Sequence, residues 1–359
     1  MISIKIVLSS QFSAHRLTLI AILLHNTYFY TELLLMTINY QSFFIFLIIF
    51  AAGLDFWLNK RQIDHVLKNR HKVPNDFAKT IKLADHKKAA DYTVAKTQFS
   101  SFGLILSALI TYYLTIGGGI NEINKVMSAF DVSSLLGGSL VVTALAVILS
   151  IVEIPSNLYS TYIIEEKFGF NKTKAKTFAS DVLIDLATTA LVTFAIMYIS
   201  LWIISTLGSS WWVWLWVFLS AVVIIMSALA PALQQLKNKF YPLEDKKLKT
   251  SIEKLLVKCG FESKGLFIMN GSLRSSHGNA FFGGFGKTKR IIFFDTLLEK
   301  LTHKEIEAVI AHELGHFKMN HVKKFMAIMI TILFVSLYVL GGLKDDPLFY
   351  EVLGVNQMT

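Results

Sequence analysis

The sequence predicts a mostly α-helical, multi-pass membrane protein that carries one small α+β domain outside the membrane. Of its 359 residues, 53% are hydrophobic and only 17% are charged, whereas a soluble globular protein has about 25% charged residues. The apolar residues fall into runs of roughly 20, which is the length of a helix that crosses a bilayer. The Lys and Arg residues collect in the segments between these runs.

Six transmembrane helices are predicted from the apolar runs. They lie at residues 38–58, 100–118, 138–158, 183–207, 211–232 and 325–343. A further apolar stretch precedes them, but too few residues separate it from the first span for both to cross. We interpret residues 1–36 as an N-terminal extension, either the product of a mis-assigned start or a poorly ordered segment, because Met36 opens a stretch that looks like a natural start.

The positive charges orient the spans. Residues 59–99, 159–182 and 233–324 hold 31 of the 35 Lys and Arg residues, and the two short connections between spans carry only Lys125. Because positive charge concentrates in cytoplasmic loops, the three basic segments are expected on the cytoplasmic side. This placement accounts for the net charge of +10, so no nucleic-acid partner is expected, and membrane lipids are expected as partners of the spans. The single Cys259 excludes an intramolecular disulfide and a cysteine-based zinc cluster.

The domain organisation follows from these segments. Residues 37–232 hold transmembrane helices 1–5 with their cytoplasmic loops, residues 233–324 form the extramembrane domain, and residues 325–359 hold the sixth helix. In the domain, "LEDKKLKTSIEKLLVKCG" predicts a helix that ends at Gly260, and "GLFIMNGS" predicts a strand. "NAFFGGFGKTKRIIFFD" predicts two strands joined by a Gly-Lys-Thr-Lys turn.

The segment "AHELGHFKMNH" contains the candidate metal-binding and catalytic residues. Thr302 and Glu305 form a capping box upstream, so the segment is predicted to lie well inside a helix. His312 and His316, at positions i and i+4, share one face of that helix and can bind one Zn²⁺ ion. Glu313 is placed to act as the general base toward zinc-activated water.

Other interpretations of these histidines are weaker. HExxH arises by chance, and two solvated histidines on a polar helix face are the simplest alternative. The longer metzincin pattern is excluded, because Met319 and Val322 stand at the positions of its glycine and third histidine. On a continuous helix His321 is about 140° around from His316. It is therefore predicted to lie behind the ligands or at the membrane interface.

Three stretches resemble the type I CAAX prenyl endopeptidases, a family of integral-membrane HExxH zinc metalloproteases. They are "RSSHGNAFFGGFGKTKRIIFFDTLLEKLTHKEIEAVIAHELGHFKMNH", "YIIEEKFGFNKTKAKTFASD" and "HKKAADYTVAKTQF". The resemblance covers about residues 37–345. It implies transmembrane helices around a water-filled chamber, closed on the cytoplasmic side by a small α+β metalloprotease domain. It also implies one zinc ion per chain and a peptide or protein substrate, membrane-associated or lipidated, such as a prenylated CaaX protein.

The resemblance also assigns residues. It implies His312 and His316 as zinc ligands, Glu313 as the general base, and a strand including Asn279, Ala280 and Phe281 as the place where substrate binds. Asn279 is equally well read as a residue that caps a turn. An extended substrate would add to this strand by main-chain hydrogen bonds.

One departure from the family pattern concerns the third zinc ligand. In the family this ligand is a glutamate in a Glu-x-x-x-Asp helix after a seventh span, whereas here Glu351 is the only glutamate after the sixth span. Since Glu351 is predicted across the membrane from His312, it is not expected to substitute. We therefore expect a seventh transmembrane helix to be missing from a C-terminally truncated chain, and this form to be inactive.

Two other classes of protein stay open on the residues alone. One is a transporter or channel with an incidental HELGH, for which Asp55, Glu153 and Asp185 are the intramembrane acidic candidates. The other is a catalytically incomplete pseudo-enzyme or membrane scaffold that lacks one ligand. The compact insert favours a bacterial inner membrane with the protease domain facing the cytoplasm. The endoplasmic reticulum is the alternative.

Overall fold

The computed structural model describes residues 40–129, 133–283 and 289–353. The predicted N-terminal extension and most of the Gly-Lys-Thr-Lys turn lie outside these described residues. Two compact units divide the chain, and Arg61–Ser100 together with Ile123–Asp345 form the larger one. All residues of the candidate site belong to this larger unit.

Helices dominate the structure. They are α1 Tyr40–Asn69, α2 Leu83–Leu114, α3 Gly119–Ser128, α4 Ser134–Val152, α5 Ile154–Tyr159, α6 Ala175–Thr206, α7 Trp211–Gln234, α8 Lys246–Lys258, α9 Asp295–Lys300, α10 His303–Lys318, α11 His321–Leu343 and α12 Pro347–Val352. Six helical stretches are long and apolar enough to cross a membrane: α1, α2, α4 continued through α5, α6, α7 and α11. The mostly helical fold class with six candidate spans is therefore confirmed.

Several of these helices are longer than predicted, because polar residues continue the helix beyond its apolar stretch. The segment 59–99 is an example, since α1 runs on to Asn69 and α2 begins at Leu83. Between the two, Pro74 precedes a short 3₁₀ turn at Asn75–Phe77. Proline has no backbone N–H and restricts the residue before it, so a continuous helix through Pro74 is disfavoured.

The third span is irregular at its C-terminal end. Helix α4 ends at Val152, and α5 begins at Ile154 with Pro155 in its first turn. A π-helical turn, Ser160–Glu165, then completes the span. Such turns insert one extra residue per turn into the helix and are frequent at functional sites. This one ends at Glu165, a residue with several polar contacts described below.

Helices α4, α6, α7 and α11 pack in sequence, with α4 against α6, α6 against α7, and α7 against α11. Buried Ile203, Trp211, Leu215 and Leu337 form the core of the last two contacts. Asp185, one of the acidic residues singled out in the spans, forms an ion pair with Lys237 at 2.5 Å. This counter-ion gives Asp185 a structural explanation that requires no transported ion.

The α+β domain contains one four-stranded sheet. Its strands are β1 Phe240–Pro242, β2 Leu266–Met269, β3 Ala280–Gly283 and β4 Arg290–Phe294, in the order β1-β2-β4-β3. Strands β3 and β4 pair antiparallel, which confirms the predicted hairpin, whereas β2 and β4 are parallel. Strand β1 was not predicted. The predicted helix "LEDKKLKTSIEKLLVKCG" is confirmed as α8, and Gly260 follows it with φ +66°.

The domain core lies between the sheet and helices α8 and α10. Ile252, Ile291, Phe293 and Ile310 are 0% exposed and Ile306 is 1% exposed. The apolar face of α10 therefore points into this core. The opposite face, which carries His312 and His316, is exposed.

Ile310→Ala is expected to lower the stability of the domain by about 2–5 kcal/mol, because truncation of a fully buried isoleucine leaves a cavity. The matched control is Val257→Ala on α8, whose side chain is 81% exposed, and there a change within about 0.5 kcal/mol is expected. Thermal unfolding of the purified protein in detergent measures both. Equal shifts in Tm for the two variants would contradict this description of the core.

Candidate metal centre and the adjoining edge strand

Helix α10 positions the HELGH motif. Its N-terminus is fixed by the predicted capping box, in which the Glu305 carboxylate accepts hydrogen bonds from the N–H and the hydroxyl of Thr302, both at 2.8 Å. These bonds hold the pKa of Glu305 below its ordinary value, the backbone bond most strongly. Because Leu314 lies on the buried face, the helix is held at the motif itself as well as at its start.

The two motif histidines face each other across one helical turn. His312 Nε2 and His316 Nε2 are 3.2 Å apart, and Glu313 is half-buried beside them. For two nitrogens that bind zinc at 2.0–2.1 Å with tetrahedral angles, the separation is about 3.3 Å. The pair therefore fits two positions of a tetrahedral zinc site. Within the described residues, no cluster of three His, Cys, Asp or Glu side chains is arranged to hold a metal ion.

His321 lies next to His316, at the ring nitrogen that does not face His312, which is one of the two places predicted for it. Helix α10 ends at Lys318, Asn320 adopts a left-handed conformation with φ 55°, and α11 begins at His321. The prediction assumed one continuous helix across these residues, and that assumption was wrong. The break brings His321 Nδ1 to 2.8 Å from His316 Nδ1. Asn320 was the available signal, since asparagine is favoured in the left-handed region where helices end.

Strand β3 contains Ala280 and Phe281 and follows directly after Asn279. It is an edge strand, since no other described strand pairs with its second side. The Phe294 N–H donates to the Asn279 carbonyl at 2.9 Å, and Phe281 pairs with Ile292. In an antiparallel pair, hydrogen-bonded positions alternate with positions whose backbone groups point away from the partner strand. The backbone groups of Phe281 therefore face β4.

The alternate residues of β3, Ala280 and Phe282, direct their backbone groups away from β4. They face the side of β3 that pairs with no described strand, which we call the open edge. The Ala280 N–H donates to the side-chain oxygen of Asn279 at 2.8 Å. Asn279 thus acts as a cap in this structure, the alternative left open for it. Phe282 was missed in the sequence argument, although the two-residue period of a strand combined with the hairpin register would have found it.

An aromatic cluster connects β3 to the motif helix. The Phe261 ring packs edge-on against Phe282 at 5.0 Å and against Phe317 at 4.7 Å. The Lys289 ammonium lies 3.9 Å from the centre of the Phe317 ring, and burial lowers the pKa of this lysine. Because Phe317 follows His316 directly, the open edge strand and the histidine pair are held by the same packed core.

Comparisons with known proteins place the chain in a class. Residues 62–235 match the family model described as CAAX prenyl protease N-terminal, five membrane helices, and residues 242–346 match peptidase family M48. The fold and the motif therefore define a multi-pass membrane protein of the M48 metallopeptidase class. The CAAX prenyl protease 1 homolog of Dictyostelium discoideum is 32% identical over 337 residues, which cover 88% of this chain and 76% of the relative. The chain belongs to the CAAX prenyl protease 1 family.

A second relative and a solved structure support the same family. The probable CAAX prenyl protease 1 of Schizosaccharomyces pombe is 34% identical over 74% of this chain, and the chain spans 59% of the length of that relative. The crystal structure of S. mikatae Ste24p superposes with a TM-score of 0.80 at 29% identity, covering 88% of this chain and 74% of that one. The predicted family resemblance and the predicted multi-pass membrane location are confirmed.

These relatives are all eukaryotic, so they give no support to the predicted bacterial inner membrane. They also give no support to a transporter or to a catalytically incomplete scaffold. The expected missing seventh helix is tested neither by the fold nor by the relatives and stays a prediction.

Proposed function

We propose that the chain acts as a membrane-embedded zinc metalloendopeptidase, with His312 and His316 as metal ligands and Glu313 as the general base. The observation that carries the proposal is the pair of Nε2 atoms 3.2 Å apart on the exposed face of α10, with Glu313 beside them. The names of the relatives, CAAX prenyl proteases, indicate the substrate class, which is a prenylated protein with a C-terminal CaaX sequence. Their eukaryotic origin favours the endoplasmic reticulum over a bacterial inner membrane.

In this proposal His312 and His316 hold the zinc ion, and Glu313 transfers the protons. Zinc, when bound, supplies Lewis acidity that polarises a peptide carbonyl and makes water acidic enough to lose a proton near neutral pH. The Glu313 carboxylate accepts that proton as the water oxygen forms its bond to the peptide carbon. Glu313 then returns the proton to the amine nitrogen as the C–N bond breaks. The second proton of the water also passes to the amine, so the products are a carboxylate and an ammonium group, and Glu313 ends in its starting state.

The substrate backbone is proposed to pair with the open edge of β3. The groups available there belong to Ala280 and Phe282, with Asn279 at the start of the strand. An extended peptide that takes over the Ala280 N–H displaces the Asn279 side-chain oxygen, which frees the Asn279 amide to bond the peptide main chain. Strand addition of this kind supplies affinity through main-chain bonds and specificity through alternate side chains.

The test is the release of a C-terminal tripeptide from a farnesylated CaaX peptide by the purified protein in detergent, together with its zinc content. The proposal expects cleavage that a chelator stops and that added zinc restores, and such cleavage would overturn the expectation, made from the absent third ligand, that this form is inactive. Cleavage that survives complete removal of zinc would contradict it. Binding of the peptide with zinc present but without tripeptide release would instead favour the catalytically incomplete scaffold.

His321 is expected to orient His316 rather than to bind the metal. A histidine that binds zinc through Nε2 carries its proton on Nδ1, and here His321 Nδ1 lies 2.8 Å away and can accept it. Loss of such a partner lowers metal affinity by about 10–100-fold, so His321→Phe is expected to weaken zinc binding by that factor in a competition titration with a chromogenic chelator.

The matched variant His321→Asn separates the two roles. The asparagine oxygen reaches the position of Nδ1 and can still accept the His316 proton, but the side chain has no imidazole. Near-normal zinc affinity in His321→Asn is expected. A loss as large as that in His321→Phe would instead identify His321 as a ligand.

A further inference from the structure

The six residues that precede β3, Arg274–Asn279, are held by the first turns of α6 and by the connection between α5 and α6. We refer to them as the pre-strand segment. The Arg274 guanidinium forms a bidentate ion pair with Asp181, at 2.6 and 2.7 Å, and both side chains are about four-fifths buried. The same guanidinium donates to the Asn238 side-chain oxygen and to the Lys237 carbonyl, both at 2.9 Å. The first residue of the segment is therefore fixed in position.

The backbone of the pre-strand segment pairs with the same connection. The Lys172 N–H donates to the Arg274 carbonyl and the Ser276 N–H donates to the Phe170 carbonyl, both at 3.0 Å. Asn171 and Ser275 form an antiparallel bridge between these bonds. The segment thus runs as a short strand-like extension against residues 170–172.

His277 makes the next set of contacts. Its Nε2 lies 3.2 Å from Glu165 Oε2 and 3.3 Å from the Tyr92 hydroxyl, which itself donates to Glu165 Oε1 at 2.6 Å. The Lys96 ammonium is 3.5 Å from the same carboxylate. The His277 ring also stacks on Phe170 at 4.2 Å. Three distant parts of the chain, namely α2, the π-helical turn and the pre-strand segment, meet at this cluster.

Little freedom remains between His277 and the open edge. The Thr296 hydroxyl donates to the His277 carbonyl at 2.7 Å. A Cβ on Gly278 would come within 3.1 Å of the Leu297 side chain, so the backbone passes close to α9 there. The next residue is Asn279, whose carbonyl already belongs to the β3–β4 ladder. These contacts restrict the backbone from His277 to Asn279. The position of His277 therefore determines the positions of Asn279 and Ala280.

We propose that Tyr92, Glu165 and His277 are positioning residues for substrate binding, because they hold the pre-strand segment and so set where the open edge of β3 presents its backbone groups. The inference rests on the proposed function, in which a peptide adds to that edge. None of the three residues touches the histidine pair. Their loss is expected to weaken peptide binding and to leave zinc binding unchanged.

The test measures the Kd of a fluorescent farnesylated CaaX peptide for the purified chain in detergent, by anisotropy, with Glu313→Gln present in every sample so that no peptide is cleaved during the measurement. His277→Ala is expected to weaken binding about tenfold, because it removes a hydrogen bond to a charged partner. Tyr92→Phe removes one hydroxyl only and is expected to weaken binding about threefold. Where cleavage is measured, KM rises by the same factors and kcat stays unchanged.

A matched pair of conservative variants tests the geometry. In His277→Gln the amide nitrogen reaches the position of Nε2, whereas in His277→Asn the shorter side chain reaches only the position of Nδ1. His277→Gln is expected to bind peptide within about threefold of the unaltered chain, and His277→Asn to be as weak as His277→Ala. Equal Kd values for the Gln and Asn variants would overturn the proposal.

The control for a general structural effect is Asp91→Asn. Asp91 is the neighbour of Tyr92 on α2 and forms its own bidentate pair with Arg70, at 2.6 and 2.8 Å, away from the pre-strand segment. Its peptide Kd is expected to be unchanged. A His277→Ala variant with unchanged Kd, or losses of affinity that follow Tm across all variants including Asp91→Asn, would overturn the positioning role. If the unaltered chain does not bind the peptide at all, the proposed function fails first.

Discussion

Glu313→Gln is expected to stop peptide cleavage while zinc stays bound at the stoichiometry of the unaltered chain. Glutamine has nearly the shape of glutamate, so the half-buried position beside His312 and His316 is kept. It cannot accept a proton from the attacking water, however. General acid–base groups contribute about 10²–10⁴-fold to rate, and a loss of kcat in that range with unchanged KM is the expected result.

The measurement is the release of tripeptide from a farnesylated CaaX peptide, with zinc determined by elemental analysis on the same sample. Glu299→Gln on α9 is the matched control, because it makes the same change of charge at an exposed position of the same domain. It is expected to leave both activity and zinc unaltered. Full activity in Glu313→Gln would remove Glu313 from the mechanism, and loss of zinc in that variant would assign it to the metal instead.

The parts of the site that were predictable from the sequence depend on local interactions. The Thr302–Glu305 capping box and the buried face through Ile306 and Ile310 together determine that HELGH is helical. Both patterns lie within a few residues of the motif. The spacing of His312 and His316 then fixes their common face.

The structural features that were not predicted from the sequence depend on contacts between residues distant in the chain, or on a single backbone dihedral angle. Strand β1 has only three residues and exists because β2 pairs with it. The break between α10 and α11, which brings His321 to His316, depends on the left-handed conformation of Asn320. The first two spans were also placed with wrong limits, since α1 continues to Asn69 beyond the predicted residue 58 and α2 begins at Leu83 before the predicted residue 100. Hydropathy marks the apolar part of a helix and not the polar turns that continue it.

The contacts among Tyr92, Glu165 and His277 show most clearly that pairs distant in the chain are not predictable from the sequence. His277 lies 112 residues from Glu165 and 185 residues from Tyr92 in the chain. Each of the three stretches that carry the family resemblance contributes one member, but their pattern alone does not say that the members touch. Only the fold brings them together, and it does so next to the strand proposed to bind substrate.

His316→Ala is expected to remove zinc from the chain. Two histidines whose Nε2 atoms lie 3.2 Å apart can share one ion, and either of them alone leaves a weak, unfixed site. Because loss of a partner behind a ligand already lowers affinity by about 10–100-fold, loss of the ligand itself is expected to lower it by more than about 100-fold. Metal content after dialysis and a chelator competition titration measure this loss.

His303→Ala supplies the control for His316→Ala, since His303 stands on the same helix and pairs with Asp245 at 3.0 Å, away from the motif. Its zinc content is expected to equal that of the unaltered chain. The fold is expected to survive in both variants, because the core face of α10 consists of Ile306, Ile310 and Leu314 and contains neither histidine. Unchanged zinc in a folded His316→Ala variant would show that the metal, where present, is held elsewhere.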